Sequence, residues 1–183
     1  MIQNRYFIAI VPPHPYLEQA LEFKNYFKDQ YQSKASLNSP PHITLHMPFE
    51  WKSSNEDGLV AALQTFSSTT HAVKVDFNNF GCFPPRVIFI HVTATPELTT
   101  LQLRLRQFCK KELGLFNADY KDLPFHPHIT IAFRDLKKPA FEKAWGKFKG
   151  QKFEGGFVVD RICLLRHEEG KWVTMRELAL LND

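Results

Sequence analysis

Apolar positions along the chain switch between a helical and a strand-like period, and the switches divide it into elements. Residues 5–11 (RYFIAIV) form a short apolar run suited to a strand. From Pro15, a residue at home in a first helical turn, Leu17, Ala20, Leu21, Lys24, Phe27 and Tyr31 recur at the spacing of one helical face, with the lysine its only polar member. Ser53 and Glu56 form a capping-box pattern ahead of Leu59, Ala62, Leu63 and Phe66, which predicts a second helix. Val73, Val75 and Phe77 alternate, and 87–92 (VIFIHV) is a second strand-like stretch. Thr95 is placed as an N-cap, Pro96 as a first-turn proline and Gly114 as a C-terminal stop of a third helix, with Leu98, Leu101, Leu105 and Phe108 on its buried face. A fourth helix carries Phe141, Ala144, Trp145 and Phe148 on one side, and strands are expected near 152–159, 161–167 and 171–180.

A repeat lies inside this pattern. Residues 41–45 read PHITL and residues 127–131 read PHITI, 86 positions apart. Each stands between two helices and ahead of strands, so the order helix, HIT strand, helix, strands occurs twice. The expected fold is α+β and bilobal: one domain over 1–183, with two pseudo-symmetric lobes at about 12–94 and 95–183. Each lobe would have an antiparallel sheet and outer helices, with a cleft between them.

In a strand alternate side chains share a face. His42, Thr44 and His46 are expected to point one way, and His128, Thr130 and Ala132 likewise. Ile43, Leu45 and Met47, and Ile129, Ile131 and Phe133, then face the core. Related by a pseudo-two-fold axis, the two His-x-Thr pairs would meet across one cleft. Two facing imidazoles with pKa values near neutrality suit proton transfer to and from a reacting phosphodiester. Two threonine hydroxyls suit the charged equatorial oxygens of its transition state. His42 with His46 and His126 with His128 could alternatively make a zinc site. No carboxylate sits near either segment on their face, however, since Glu50, of the same parity as His42, lies past Pro48, and the threonines would then have no task.

Composition narrows the field. Hydrophobic residues are 44% and charged residues 23%, a globular balance. The apolar runs are too short to span a membrane, and the opening residues lack the features of a signal peptide, so a cytoplasmic protein is expected. The three cysteines are widely spaced and make neither a disulfide framework nor a CxxC zinc motif. The eight glycines form no GxGxxG or P-loop pattern. A net charge of +4 suits an anionic ligand without suggesting duplex wrapping.

The paired motifs, HITL at 42–45 and HITI at 128–131, resemble the two-histidine (2H) phosphoesterase superfamily, which includes 2′-5′ RNA ligase-like proteins and cyclic phosphodiesterases. RYFIAIVPP is similar to that family's opening strand, NFGCFPPRVIFIHV to its segment between the motifs, and PHITLHMPF to the branch whose first motif ends in Pro-Phe. The resemblance implies His42 and His128 as general acid and base, Thr44 and Thr130 as phosphate holders, and no metal or organic cofactor. It implies action on 2′,3′-cyclic phosphates, ADP-ribose cyclic phosphate or 2′-5′ linkages, hence an RNA terminus or nucleotide cyclic phosphate as partner. No membrane partner is expected, and the chain is expected to be a monomer. Ligation at the same site and non-catalytic binding of RNA ends are the alternatives. Relatives often carry a basic residue five positions after the second histidine, where Phe133 stands here; Arg134 follows, of opposite strand parity. Secondary substrate-binding candidates are Arg134, Arg86 as a phosphate guide, Phe7 and Phe83 as stacking rings, and His126 and His46 on the cleft wall. His14, His71, His91 and His167 receive no partner from the sequence.

Overall fold

The structure, a computed structural model, describes residues 2–119 and 124–182. Among them eight strands form one sheet: β1 (Gln3–Ile10), β2 (Ile43–Lys52), β3 (Val73–Phe83), β4 (Val87–Val92), β5 (His128–Ala132), β6 (Glu154–Val159), β7 (Arg161–Glu168) and β8 (Lys171–Ala179). Their order is β6-β3-β4-β5-β2-β1-β7-β8, antiparallel at every step and curled. Four helices, α1 (Tyr16–Tyr31), α2 (Glu56–Ser67), α3 (Pro96–Leu113) and α4 (Lys138–Phe148), pack on one face of it. The protein is α+β, as the element pattern predicts.

Alternation along the strands divides the two faces. Tyr6, Ile8 and Ile10 of β1, Ile88, Ile90 and Val92 of β4, and Ile162 and Leu164 of β7 join the core beneath the helices, together with Ile43 and Ile129 of the two HIT strands. The residues between them, Phe7 and Ala9 of β1 and Cys163 and Leu165 of β7, form a separate small cluster on the other face. The helices leave that second face open. None of them is long and apolar enough to cross a membrane among the described residues.

β2 and β5 sit side by side at the middle of the sheet. Flanking strands correspond outward from them: β1 to β4, β7 to β3, β8 to β6. The element order repeats along the chain as expected, but the halves of the sheet do not part near residue 94. β3 and β4 lie on the β5 side, whereas β7 and β8 return to β1 on the β2 side. The two segments are interleaved through one sheet, which fits the lack of any linker-like stretch between them.

Helix ends follow local chemistry in α3. The Thr95 side chain accepts the Leu98 N–H at 3.2 Å, Pro96 opens the helix, and Gly114 closes it at φ 65°. The expected capping box of α2 is not formed. Ser53 lies in a 3-10 turn ahead of the helix, and the Glu56 carboxylate accepts instead from the Tyr6 hydroxyl and from Arg166. A cross-sheet partner with a full positive charge outcompetes a local main-chain N–H. The thiols of Cys109 and Cys163 are buried and free, and Cys82 is half-buried and free.

Candidate active site

Ile43 of β2 pairs with Ile129 of β5. Both isoleucines are fully buried under the helices, so their sequence neighbours emerge on the open face. An antiparallel course through that one bridge directs His42 toward the Thr130 side and Thr44 toward the His128 side. The two His-x-Thr pairs are thereby brought into one array on the open face.

The imidazoles are held alike. His42 Nδ1 lies 2.8 Å from the carbonyl oxygen of Pro40, and His128 Nδ1 lies 2.7 Å from that of His126. A carbonyl only accepts, so both rings carry Nδ1–H and leave Nε2 as the open, basic nitrogen. Each ring also rests on a phenylalanine from the flanking strand: Phe7 with His42 and Phe89 with His128, both at a centroid separation of 4.8 Å and an interplanar angle of 48°. Burial pushes the His42 pKa down to about 4, against a rise from the Pro40 bond; the charge of Lys24, and of His128 when protonated, add to the fall. Burial also lowers His128, opposed by its bond to His126, with His126 and His91 contributing to the fall.

The sign of the resulting pH dependence is fixed. An unfolded histidine takes up its proton near pH 6.5, whereas folded His42 does so near 4. Through that interval the unfolded state binds more protons, so stability is full above it and declines as pH falls through it. Urea titrations at pH 7 and pH 4.5 should show the lower stability at pH 4.5. Substituting His42 by glutamine should flatten that difference, and an unchanged pH slope would refute the shift.

Two bulges correct the expected facing of these strands. Ala9 pairs with Thr44 but Ile8 pairs with His46; Phe89 pairs with Thr130 but Ile88 pairs with Ala132. One extra residue follows each threonine, and the strand bends. His46 is thereby turned to the helix side, 1% exposed and edge-on to core residue Phe49. It does not line the site, and it cannot share a metal with His42. Ala132 is likewise turned into the core. β5 then ends, so Phe133 is not a core residue as strand parity would have it.

Instead, Phe133 and Arg134 line a cavity of about 330 Å³ together with His42 and Thr44. Arg134 adopts a left-handed conformation, φ 58°, which removes the parity objection to its reaching the site. Arg5 of β1, His167 of β7 and Trp172 of β8 line the same cavity. Arg5 lies 5.7 Å from the Trp172 ring centroid, and His167 packs edge-on to that indole at 5.0 Å. Sequence reasoning misses this wall, because β7 and β8 reach β1 only through the long return of the chain. One signal is available: the alternation of RYFIAIV puts Arg5 on the face of Phe7.

The wall beside His128 has a different character. Phe83 lies 5.3 Å from His128 and 5.2 Å from His126, and His91, opposite His128 on β4, lies 5.5 Å from His126. His91 and His167, unplaced by the sequence, thus belong to opposite walls of the site. Phe83 is 41% exposed and offers a ring face, whereas Phe7 is 3% exposed and serves as a prop for His42. Arg86 is exposed in the β3–β4 turn and does not line the His42 cavity.

Comparison with known proteins identifies the family. Residues 12–171 match the family model described as the 2′-5′ RNA ligase superfamily. A protein of Geobacillus sp. (strain WCH70) named "Putative phosphoesterase" is 30% identical over 181 residues, covering 97% of this chain and 96% of that protein. One of the same name from Bacillus cereus (strain B4264) is 32% identical over 144 residues, 77% of this chain and 79% of its own. Among solved structures, a Thermus thermophilus protein superposes with TM-score 0.71 at 20% identity, over 98% of this chain and 99% of that one. E. coli LigT complexed with 3′-AMP superposes with TM-score 0.62 at 18% identity, with the same coverage. A match spanning most of the chain, full-length relatives and a shared two-lobed fold place this protein in the 2′-5′ RNA ligase superfamily, among its phosphoesterases.

Proposed function

We propose that the protein is a metal-independent phosphodiesterase that opens a 2′,3′-cyclic phosphate, or cleaves a related 2′-linked phosphodiester, at an RNA terminus or on a nucleotide. The observation that carries this reading is the matched pair of imidazoles, each with Nδ1–H given to a main-chain carbonyl and Nε2 open on the same sheet face. In hydrolysis, water attacks phosphorus while one Nε2 takes its proton. The other imidazole, protonated, gives its proton to the ribose oxygen as the P–O bond breaks. The hydroxyls of Thr44 and Thr130 donate to the non-bridging oxygens, where charge builds. For joining, a second chain's ribose hydroxyl takes the place of water: one Nε2 takes its proton, its oxygen bonds to phosphorus, and the cyclic phosphate's P–O bond breaks as the other imidazole protonates the departing ribose oxygen.

Burial lowers the pKa of both histidines, to about 4 at His42, which favours the neutral rings in the free protein. The substrate completes the proton inventory: a bound phosphodiester anion favours imidazolium at whichever ring is to act as acid. Two walls then read as two functions. Phe83, exposed beside His128, is placed to stack a base, and Arg134 and Arg5, neither with a carboxylate partner among the described residues, favour anionic groups on the His42 side. The E. coli LigT complex with 3′-AMP supports a nucleotide ligand for this fold.

Turnover of cyclic mononucleotides, RNA ending in a cyclic phosphate, ADP-ribose cyclic phosphate and 2′-5′ oligoadenylate tests the reading. At least one should be converted, and binding of RNA ends without turnover of any would replace the enzyme by a receptor. On the best substrate, Arg134→Gln should raise KM about tenfold, the scale of one charge-assisted hydrogen bond. An unchanged KM would remove Arg134 from the substrate's contacts.

A further inference from the structure

Lys24 is 1% exposed in the middle of α1, and nothing in the chemistry above uses it. Its Nζ donates to the main-chain carbonyl oxygens of Ser36 at 2.8 Å and Ser39 at 2.9 Å. Burial draws its pKa down to about 7. A buried lysine held by carbonyls alone is a costly way to fill a helix face.

The carbonyls it holds explain the expense. Ser36 and Ser39 lie in the turn that leads directly to Pro40, Pro41 and His42. The Pro40 carbonyl is the one that takes His42 Nδ1–H. The same turn reaches the second motif strand, because Ser36 Oγ donates to the Ile131 carbonyl at 3.0 Å. Just upstream, the Asp135 carboxylate accepts from Ser33 Oγ at 2.8 Å and from the main-chain N–H groups of Lys34 and Ala35 at 2.7 and 2.9 Å. Main-chain carbonyls at Ser36 and Ser39 would lose their partners without Lys24.

We propose that Lys24 is a positioning residue for His42: its ammonium fixes the Ser36–Ser39 turn, and through the Pro40 carbonyl fixes which nitrogen of His42 faces the phosphodiester. Its charge also acts on His42, whereas the charge effects at His128 come from His126 and His91. The titratable and charged groups set around His42 are Lys24 from α1, His128 from β5, Arg134 from the turn after β5, Arg5 from β1 and His167 from β7. The catalytic part of this inference rests on the phosphodiesterase reading, whereas its structural part does not.

Ring-nitrogen NMR of His42 and His128 in the wild type, Lys24→Met, Lys24→Gln and Lys24→Arg decides it, with kcat and KM on the best substrate. In Lys24→Met, His42 should lose its single Nδ1–H tautomer and its pKa should rise, while His128 keeps both. The same variant should lose about 10- to 100-fold in kcat with little change in KM, the scale of a misplaced catalytic group, and Lys24→Arg should recover part of it. Lys24→Gln, a neutral donor, should recover the tautomer more than the pKa. An unchanged His42 tautomer and pKa in Lys24→Met overturn the proposal. Should that variant fail to fold, the wild type decides: titration of the Lys24 ammonium should shift the His42 ring signals at the same midpoint and leave those of His128 in place, and silence at His42 overturns it. Absence of turnover by the wild type would overturn the phosphodiesterase reading and leave the ring measurement to judge Lys24.

Discussion

His42→Ala and His128→Ala should each lower kcat by at least about 100-fold, the usual worth of a positioned proton-transfer group. Both rings are fixed by the same pair of contacts, a carbonyl on Nδ1 and a phenylalanine beneath, so neither has an evident stand-in. His126, His91 and His167 line the neighbouring walls. None of them sits in the array formed by the two motifs. In the proposed mechanism one ring accepts a proton while the other donates one, so the two act as a unit and the double substitution should cost little more than the worse single one. Multiplicative losses would point to two independent roles. A near-normal rate in either single variant would remove that histidine from the mechanism.

The second large effect is expected at the threonines. Thr44→Val and Thr130→Val preserve shape and delete a hydroxyl, and each should reduce kcat by roughly 10- to 100-fold, somewhat below the range known for a lost oxyanion donor. KM should move less, since the bond strengthens as charge builds on the equatorial oxygens. Thr44→Ser and Thr130→Ser should keep most of the rate. Thr44 and Thr130 belong to the array that holds both histidines, so each loss is felt at its centre. Should both valine variants retain wild-type kcat, the oxyanion would have to be held elsewhere, with Arg134 the first place to look.

Much of this site is legible in the chain because it depends on local alternation. The proline before each HIT segment and the buried isoleucine at its centre are enough to bring His42, Thr44, His128 and Thr130 to one face. The third helix, with its Thr95 cap and Gly114 stop, is readable for the same reason: its boundaries are set by its own residues. What the chain hides is decided by distant partners. Each bulge after a HIT threonine arises from pairing with β1 or β4, and no residue type at Leu45 or Ile131 announces it, so His46 reads as a site residue and is a core one. Arg134 reads as misdirected because strand parity is carried past the end of β5 into a left-handed turn. Trp172 and His167 enter the site only because β7 and β8 return to β1, a connection that spans almost the whole chain. Lys24 is visible as a polar break in an apolar stripe, but its partners lie in a turn that no periodicity describes.

Turnover of a 2′,3′-cyclic nucleotide in excess chelator, with the product identified, bears most directly on the claim that two HIT strands make one metal-independent phosphodiesterase site. The account predicts full activity in chelator, a single phosphomonoester product, and loss of both in His42→Ala and in His128→Ala. Activity that disappears in chelator and returns with zinc, or that survives either histidine substitution, would contradict it.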